Sequence, residues 1–99
     1  MTNSITGQAL TNDASRIIRR LCKHWSHKLA VQVDDTGGVI EFPDAKVTLR
    51  ALPDRVDATI VSANPATLAR LPGVLAEHLA RMAGPEATFE MVWAKPTLP

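Results

Sequence analysis

The sequence predicts an α+β fold, in which an antiparallel sheet carries two helices packed on one face, in the order β-α-β-β-β-β-α-β. Two observations lead to this prediction. Two segments place apolar residues three and four positions apart, whereas the chain between them alternates apolar and polar residues every second position. Consecutive strands joined by short turns must be antiparallel neighbours. Two helices with one apolar stripe each need a sheet face to cover.

Residues 4–10 predict a first strand, and "TND" at 11–13 offers side chains that can cap a helix. The helix is predicted from residue 14 to about 27. Its apolar stripe consists of Ala14, Ile17, Ile18, Leu21, Cys22 and Trp25. At about 100° per residue, the opposite side carries Arg16, Arg19, Arg20, Lys23 and His27. The pattern predicts an amphipathic helix with a basic outer face.

The period then changes to two, which predicts four strands of a meander. A turn is predicted at residues 34–38, "DDTGG", where glycines accept the positive φ of a hairpin loop. Further turns are predicted at 43–44 and 52–54. The inward residues of the four strands are Val31 and Val33, Ile40 and Phe42, Val47, Leu49 and Ala51, and Val56, Ala58 and Ile60. The other face is expected to be polar, with Gln32, Glu41, Lys46, Thr48, Arg50, Asp57 and Thr59.

Asn64 followed by Pro65 predicts the start of a second helix, because asparagine caps and proline fits the first position. Its stripe comprises Leu68, Leu71, Leu75, Leu79 and Met82. Pro72 lacks an N–H, so we expect a kink or break there, and an end at residues 84–85.

A last strand is predicted from the alternation of Phe89, Met91 and Trp93. Residues 94–99 are expected to form a flexible tail. Ninety-nine residues, 45% of them hydrophobic, suit one domain over residues 1–99.

Composition excludes several classes of function. No tyrosine and only four other aromatic residues argue against a base-stacking platform, so nucleic acid is disfavoured as a partner. The single Cys22 cannot form an internal disulfide, and the first residues lack a secretory pattern. No apolar run approaches the roughly 20 residues of a spanning helix. We therefore expect a cytoplasmic protein without membrane association, and no motif implies a cofactor.

Four stretches resemble a family of small bacterial proteins classed as a domain of unknown function: "SRIIRRLCKHWSHK", "DTGGVIEF", "LARLPGVLAEHLARM" and "FEMVW". Members of that family occur alone and fused to siderophore-interacting flavoproteins. The resemblance implies a role in siderophore or iron metabolism, with a flavin-dependent siderophore reductase as a partner. Pro72 and Gly73 depart from the family's usual pattern within the second helix.

The stretch "RLCKHWSHK" suggests a metal site when read linearly. On a helix Cys22 faces away from both histidines, and it fits the apolar stripe as a small buried side chain. His24 and His27 are three apart and should be neighbours. Zinc usually takes three or four protein ligands, so His78 on the second helix is the candidate third ligand. The alternative for His78 is a packed histidine bonded to a backbone carbonyl.

The strongest candidate for function is the basic face of the first helix. Residues 13–28 hold five cations and one carboxylate, whereas the rest of the chain holds six cations and nine carboxylates. The predicted ligand-binding residues are Arg16, Arg19, Arg20, Lys23 and His27. Clustered guanidinium groups suit an anionic small molecule or an acidic protein, although a solvated helix surface explains the same pattern. No catalytic motif is present, so enzyme activity is unsupported.

Overall fold

The computed structural model describes residues 3–94. The elements are β1 (Asn3–Leu10), α1 (Ala14–Trp25), β2 (Ala30–Asp34), β3 (Gly37–Phe42), β4 (Ala45–Leu52), β5 (Arg55–Ser62), α2 (Pro65–Ala83) and β6 (Val92–Trp93). They form one antiparallel sheet in the order β2-β3-β4-β5-β1-β6. The predicted fold class and element order are confirmed. The flexible tail expected at 94–99 lies, from residue 95 onward, outside the described residues.

The sheet register gathers the apolar strand residues under the helices. Ile40 lies opposite Val47, Val47 opposite Ile60, and Ile60 opposite Ile5, so one apolar row crosses four strands. Ile40, Val47 and Ile60 are fully buried. Because side chains alternate between the two faces of a strand, the polar residues fall on the other, uncovered face. There Glu41 lies opposite Lys46 in register.

Helix α1 buries the whole predicted stripe against this row. Gly38 of β3 allows the close approach, because a Cβ atom there would lie 2.7 Å from the Cys22 Sγ. The helix ends at Trp25, two residues earlier than predicted. The N–H groups of Lys28 and Leu29 both donate to the Trp25 carbonyl, which closes a turn after the helix. His27 therefore lies in that turn and not on the helix.

Helix α2 starts as predicted. The Asn64 side chain accepts hydrogen bonds from the Ala66 and Thr67 N–H groups. Of the kink or break predicted at Pro72, the break is wrong, because one helix runs from Pro65 to Ala83. Pro72 is buried, and Leu75 and Leu79 beyond it are fully buried. Burying two leucines contributes roughly 1.5–3 kcal/mol each, which offsets the roughly 3 kcal/mol that an interior proline costs.

The hairpin between β2 and β3 is held by an aspartate. The Asp34 carboxylate accepts hydrogen bonds from the Thr36 N–H, the Thr36 hydroxyl and the Gly37 N–H. These bonds, chiefly those from Thr36, lower the pKa of Asp34. The expectation that both glycines supply the loop's positive φ is wrong for Gly38, since only Gly37 has a positive φ, of 155°. Both glycines belong to β3, and Asp35 and Thr36 form the loop.

The last strand is shorter than predicted. Among the described residues of this segment, only Val92 and Trp93 pair with β1, opposite Gln8 and Gly7. The Trp93 ring covers Gly7, where a Cβ atom would clash with the ring. The segment before β6 contributes to the core through packing and not through pairing, with Phe89 and Met91 partly buried against it. Across residues 3–94, no helix has the length and apolar character needed to span a membrane.

Candidate functional site: the basic face of helix α1

The outer face of α1 presents the predicted cations to solvent. Arg16, Arg19 and Arg20 are exposed and line one shallow depression of about 460 Å³ at the N-terminal half of the helix. Asn12 and Ser15 contribute polar groups to the same depression. Their clustering follows from the helix period, because positions 16, 19 and 20 share one side of the helix. The structure therefore brings three of the five predicted ligand-binding residues together.

Two of these arginines already have carboxylate partners. The Arg16 guanidinium lies 3.0 Å from the Asp13 carboxylate, and Arg19 pairs with Asp35 from the β2–β3 hairpin. All four side chains are largely exposed. Ion pairs exposed to this extent typically contribute about 0.2–1 kcal/mol, so an incoming anion can displace either carboxylate at small cost. The pairs reduce the positive field of the face without removing its cations.

Arg20 differs from the other two because it contacts the second helix. Its guanidinium donates a 3.0 Å hydrogen bond to the Met82 carbonyl, in the last turn of α2. The final carbonyls of a helix have no partner within the helix, and a cation is favourable near them. Arg20 therefore links α1 to the end of α2, in addition to facing the depression.

The remaining two predicted residues are placed differently from one another. Lys23 is exposed one turn beyond Arg19 and Arg20, on the same helix. His27 is exposed but lies in the turn after α1, so it leaves the helical face to which the sequence assigned it. The basic face described by the structure thus consists of Arg16, Arg19, Arg20 and Lys23.

The histidines meet aromatic side chains where α1 contacts α2. The His24 and His78 ring centroids are 6.1 Å apart, and the His78 ring lies 4.9 Å from that of Trp25. Trp25 also packs edge-on against Phe42 at 5.3 Å. This pairing joins His24 to a residue of α2, whereas the sequence paired it first with His27.

His78 has the carbonyl partner that the sequence offered as the alternative to metal binding. Its Nδ1 lies 2.7 Å from the Val74 carbonyl oxygen. Because a carbonyl only accepts, Nδ1 carries the proton, and Nε2 is the nitrogen left for another contact. Within residues 3–94, no cluster of three or more His, Cys, Asp or Glu side chains is arranged to hold a metal ion. Two histidines, His24 and His78, are what the structure brings together.

Cys22 lies in the core under α1. It is 1% exposed, and burial raises the pKa of its thiol. A buried thiol with a raised pKa is a poor nucleophile and a poor metal ligand, since both roles need the thiolate. The geometry agrees with a packing role for Cys22.

Sequence reasoning missed two partners of the basic face, Asp35 and the Met82 carbonyl. Both lie outside α1, and the tertiary fold brings them to it. The hairpin could have been inferred to lie near α1, because β2 follows the helix directly. No local signal identifies the Arg20 contact with Met82, which spans 62 positions.

The fold and this face define a small α+β domain with two helices on one side of a six-stranded antiparallel sheet and a basic helix surface. A family model described as "Uncharacterized protein conserved in bacteria (DUF2218)" matches residues 6–94, and the chain belongs to that family. A solved structure, the NMR structure of PA4090 from Pseudomonas aeruginosa, is similar at 38% identity with a TM-score of 0.78. The similarity covers 96% of this chain and 97% of that one. No curated protein matches the chain.

Proposed function

We propose that this chain is a binding or accessory domain whose α1 basic face receives an anionic small molecule or an acidic segment of a partner protein. The observation that carries the proposal is the convergence of Arg16, Arg19 and Arg20 on one depression. Guanidinium groups bind carboxylates and phosphates through paired hydrogen bonds, and Lys23 adds a compact charge nearby. Siderophore or iron metabolism, with a flavin-dependent siderophore reductase as partner, is the biological setting that the family resemblance suggests for this face.

Binding at this face depends on exchange of partners. Asp13 and Asp35 occupy Arg16 and Arg19 through exposed ion pairs. A ligand with two or more carboxylate or phosphate groups displaces both and pairs with two guanidinium groups at once, which a single carboxylate cannot do. The affinity is expected to fall as salt rises, because surface charges are screened over a Debye length of about 8 Å at physiological ionic strength.

The test is an NMR titration of the labelled chain with citrate, a single-stranded oligonucleotide and a purified flavin-dependent siderophore reductase. Amide shifts should centre on the first turns of α1 and on the β2–β3 hairpin that supplies Asp35. The variant Arg16→Gln, Arg19→Gln, Lys23→Gln removes three cations and leaves the Arg20 contact with Met82 intact. It should abolish the shifts while the chain stays folded.

The matched control removes the same charge elsewhere. Lys46, Arg50 and Arg70 are exposed and lie outside the depression. Replacing all three with glutamine should leave binding within about twofold of the parent, since distant exposed charges are screened. Equal loss of binding in both triple variants would show that the binding site is not on α1. Shifts confined to the uncovered sheet face around Thr48 and Arg50 would show the same.

A second candidate function, metal response, is supported by the 6.1 Å separation of the His24 and His78 rings. The sequence predicts His27 as a metal ligand, but its position in the turn leaves His24 and His78 as the pair to test. Zinc or ferrous iron that prefers the native chain should raise the melting temperature saturably. A rise abolished in His24→Ala and retained in His27→Ala would support the two-histidine site. An unchanged melting temperature would rule out a metal site at His24 and His78.

A further inference from the structure

The sheet has one long open edge. Strand β2 (Ala30–Asp34) is the outermost strand, and its outer side pairs with no other strand among residues 3–94. At the opposite edge, β6 covers only Gly7 and Gln8 of β1. No residue of β2 is buried, and the strand contains neither proline nor lysine, the usual protections of an edge. Its outward N–H and C=O groups are therefore available to an added strand.

The side chains of β2 fit such an addition. Val33 is 46% exposed on the face that the helices cover elsewhere, and Val31 on the same face is only partly buried. Gln32 lies on the uncovered face. Asp34 ends the strand, and Lys28 stands just before its start, with both side chains exposed. Opposite charges at the two ends make the segment complementary to itself when two copies run antiparallel.

We propose that β2 is a self-association edge, which pairs with β2 of a second copy about a two-fold axis at Gln32 and joins the two six-stranded sheets into one. In this register Val31 of one copy lies opposite Val33 of the second copy. The two Gln32 side chains face each other across the axis, where each amide can both donate and accept. Asp34 lies opposite Ala30 of the second copy, two residues from Lys28, whose exposed side chain in the turn after α1 can approach the Asp34 carboxylate.

Antiparallel pairing follows from the charges. A parallel arrangement would place the two Asp34 carboxylates side by side, where like charges directly opposite are destabilising. The antiparallel arrangement instead brings each Asp34 near Lys28 of the second copy.

The test exploits the two-fold axis. Gln32→Lys and Gln32→Glu each place like charges opposite one another in the dimer only, because Gln32 is exposed in the single chain. Sedimentation velocity from micromolar to millimolar concentration should show a dimer for the parent chain. Each variant alone should raise the dimer dissociation constant by about two- to fivefold. An equimolar mixture of the two variants should dimerise again, because opposite charges then meet at the axis.

The matched control is Gln8→Lys, an exposed glutamine on the same sheet face but on β1. It should dimerise like the parent. A parent chain that stays monomeric at millimolar concentration overturns the proposal. So does a control that dissociates as readily as Gln32→Lys, or a mixture of the two variants that remains monomeric. If either substitution damaged the fold, mixing the two variants would not restore the dimer, so rescue in the mixture shows that the two charges meet at the axis. The proposal stands on β2 alone and survives or fails independently of ligand binding at α1.

Discussion

The two helices cover the same sheet face but are held in place differently. Helix α1 has 12 residues, of which six are buried, and no side-chain hydrogen bond caps its N-terminus. Helix α2 has 19 residues, an asparagine cap at its start and the Arg20 guanidinium at its end. It also contains Pro72 and Gly73, two poor helix formers. Helix α1 is thus stabilised by packing, whereas α2 combines packing with polar contacts at both ends.

The difference explains how α2 accommodates its unfavourable residues. Its N-terminal turn is fixed by Asn64 and by the Thr67 hydroxyl, which donates to the Asp44 carboxylate from the β3–β4 turn. These bonds hold the first turn, which is N-terminal to Pro72, where one backbone hydrogen bond of the helix is lost. Helix α1 contains no proline or glycine, so it forms without such contacts, and its outer face is left for charged residues.

The largest effect is expected from α1. Trp25 is 8% exposed and packs against Phe42 and His78. Trp25→Ala should leave a cavity and lower the free energy of unfolding by roughly 3–5 kcal/mol. Urea denaturation followed by far-UV circular dichroism measures the change. His27→Ala, in the exposed turn, is the control and should stay within about 0.5 kcal/mol of the parent. Equal midpoints for parent and Trp25→Ala would show that packing does not hold α1.

The capping difference predicts unequal responses at the two helix starts. Asn64→Ala removes the acceptor for two N–H groups and should cost about 1 kcal/mol. Asp13 occupies the equivalent position in α1 but pairs with Arg16 instead of capping. Asp13→Ala should therefore change stability by less than about 0.5 kcal/mol. Urea midpoints of the two variants measure the contrast, and a larger loss for Asp13→Ala would contradict it.

Much of this architecture was readable from the sequence. The apolar stripe of α1 is buried in full, because six residues at helical spacing leave only one way to face a sheet. The Asn64–Pro65 start of α2 also follows from local chemistry. The break expected at Pro72 was wrong, because the expectation counted the cost of a proline and not the apolar area that Leu75 and Leu79 bury beyond it.

The candidate site was predictable in composition and not in pairing. The cations of the basic face follow from the helix period, which places Arg16, Arg19 and Arg20 together. Their partners depend on tertiary contacts, such as the hairpin that brings Asp35 to Arg19. The prediction that His27 lies on the helix was wrong for a local reason. The chain leaves the helix after Trp25 through a turn that the 3.6-residue period does not reveal.

Gly73 offers a gain of stability in α2. It is exposed within the helix, and a Cβ atom there would meet nothing within 4 Å. Gly73→Ala should therefore stabilise the chain by roughly 0.5–1 kcal/mol, because alanine loses less backbone entropy on folding. Gly38→Ala is the matched contrast, since its Cβ would crowd the Cys22 Sγ at 2.7 Å and should destabilise the chain. Thermal unfolding of both variants gives the two signs, and a destabilising Gly73→Ala would indicate that the helix is strained at that point.

The smallest effect should separate the two roles of Arg20. Arg20→Gln removes the guanidinium from the Met82 carbonyl, and a cation near a helix C-terminus contributes about 0.3–1 kcal/mol. Hydrogen exchange should quicken in the last turn of α2, around Arg81 to Ala83, with the first turn at Asn64 unchanged. Arg16→Gln removes an equal charge from the same face without contacting α2 and should leave that exchange as in the parent. If both variants loosen the end of α2 equally, the basic face acts on α2 through its overall field, and the direct contact from Arg20 is not what holds the helix end.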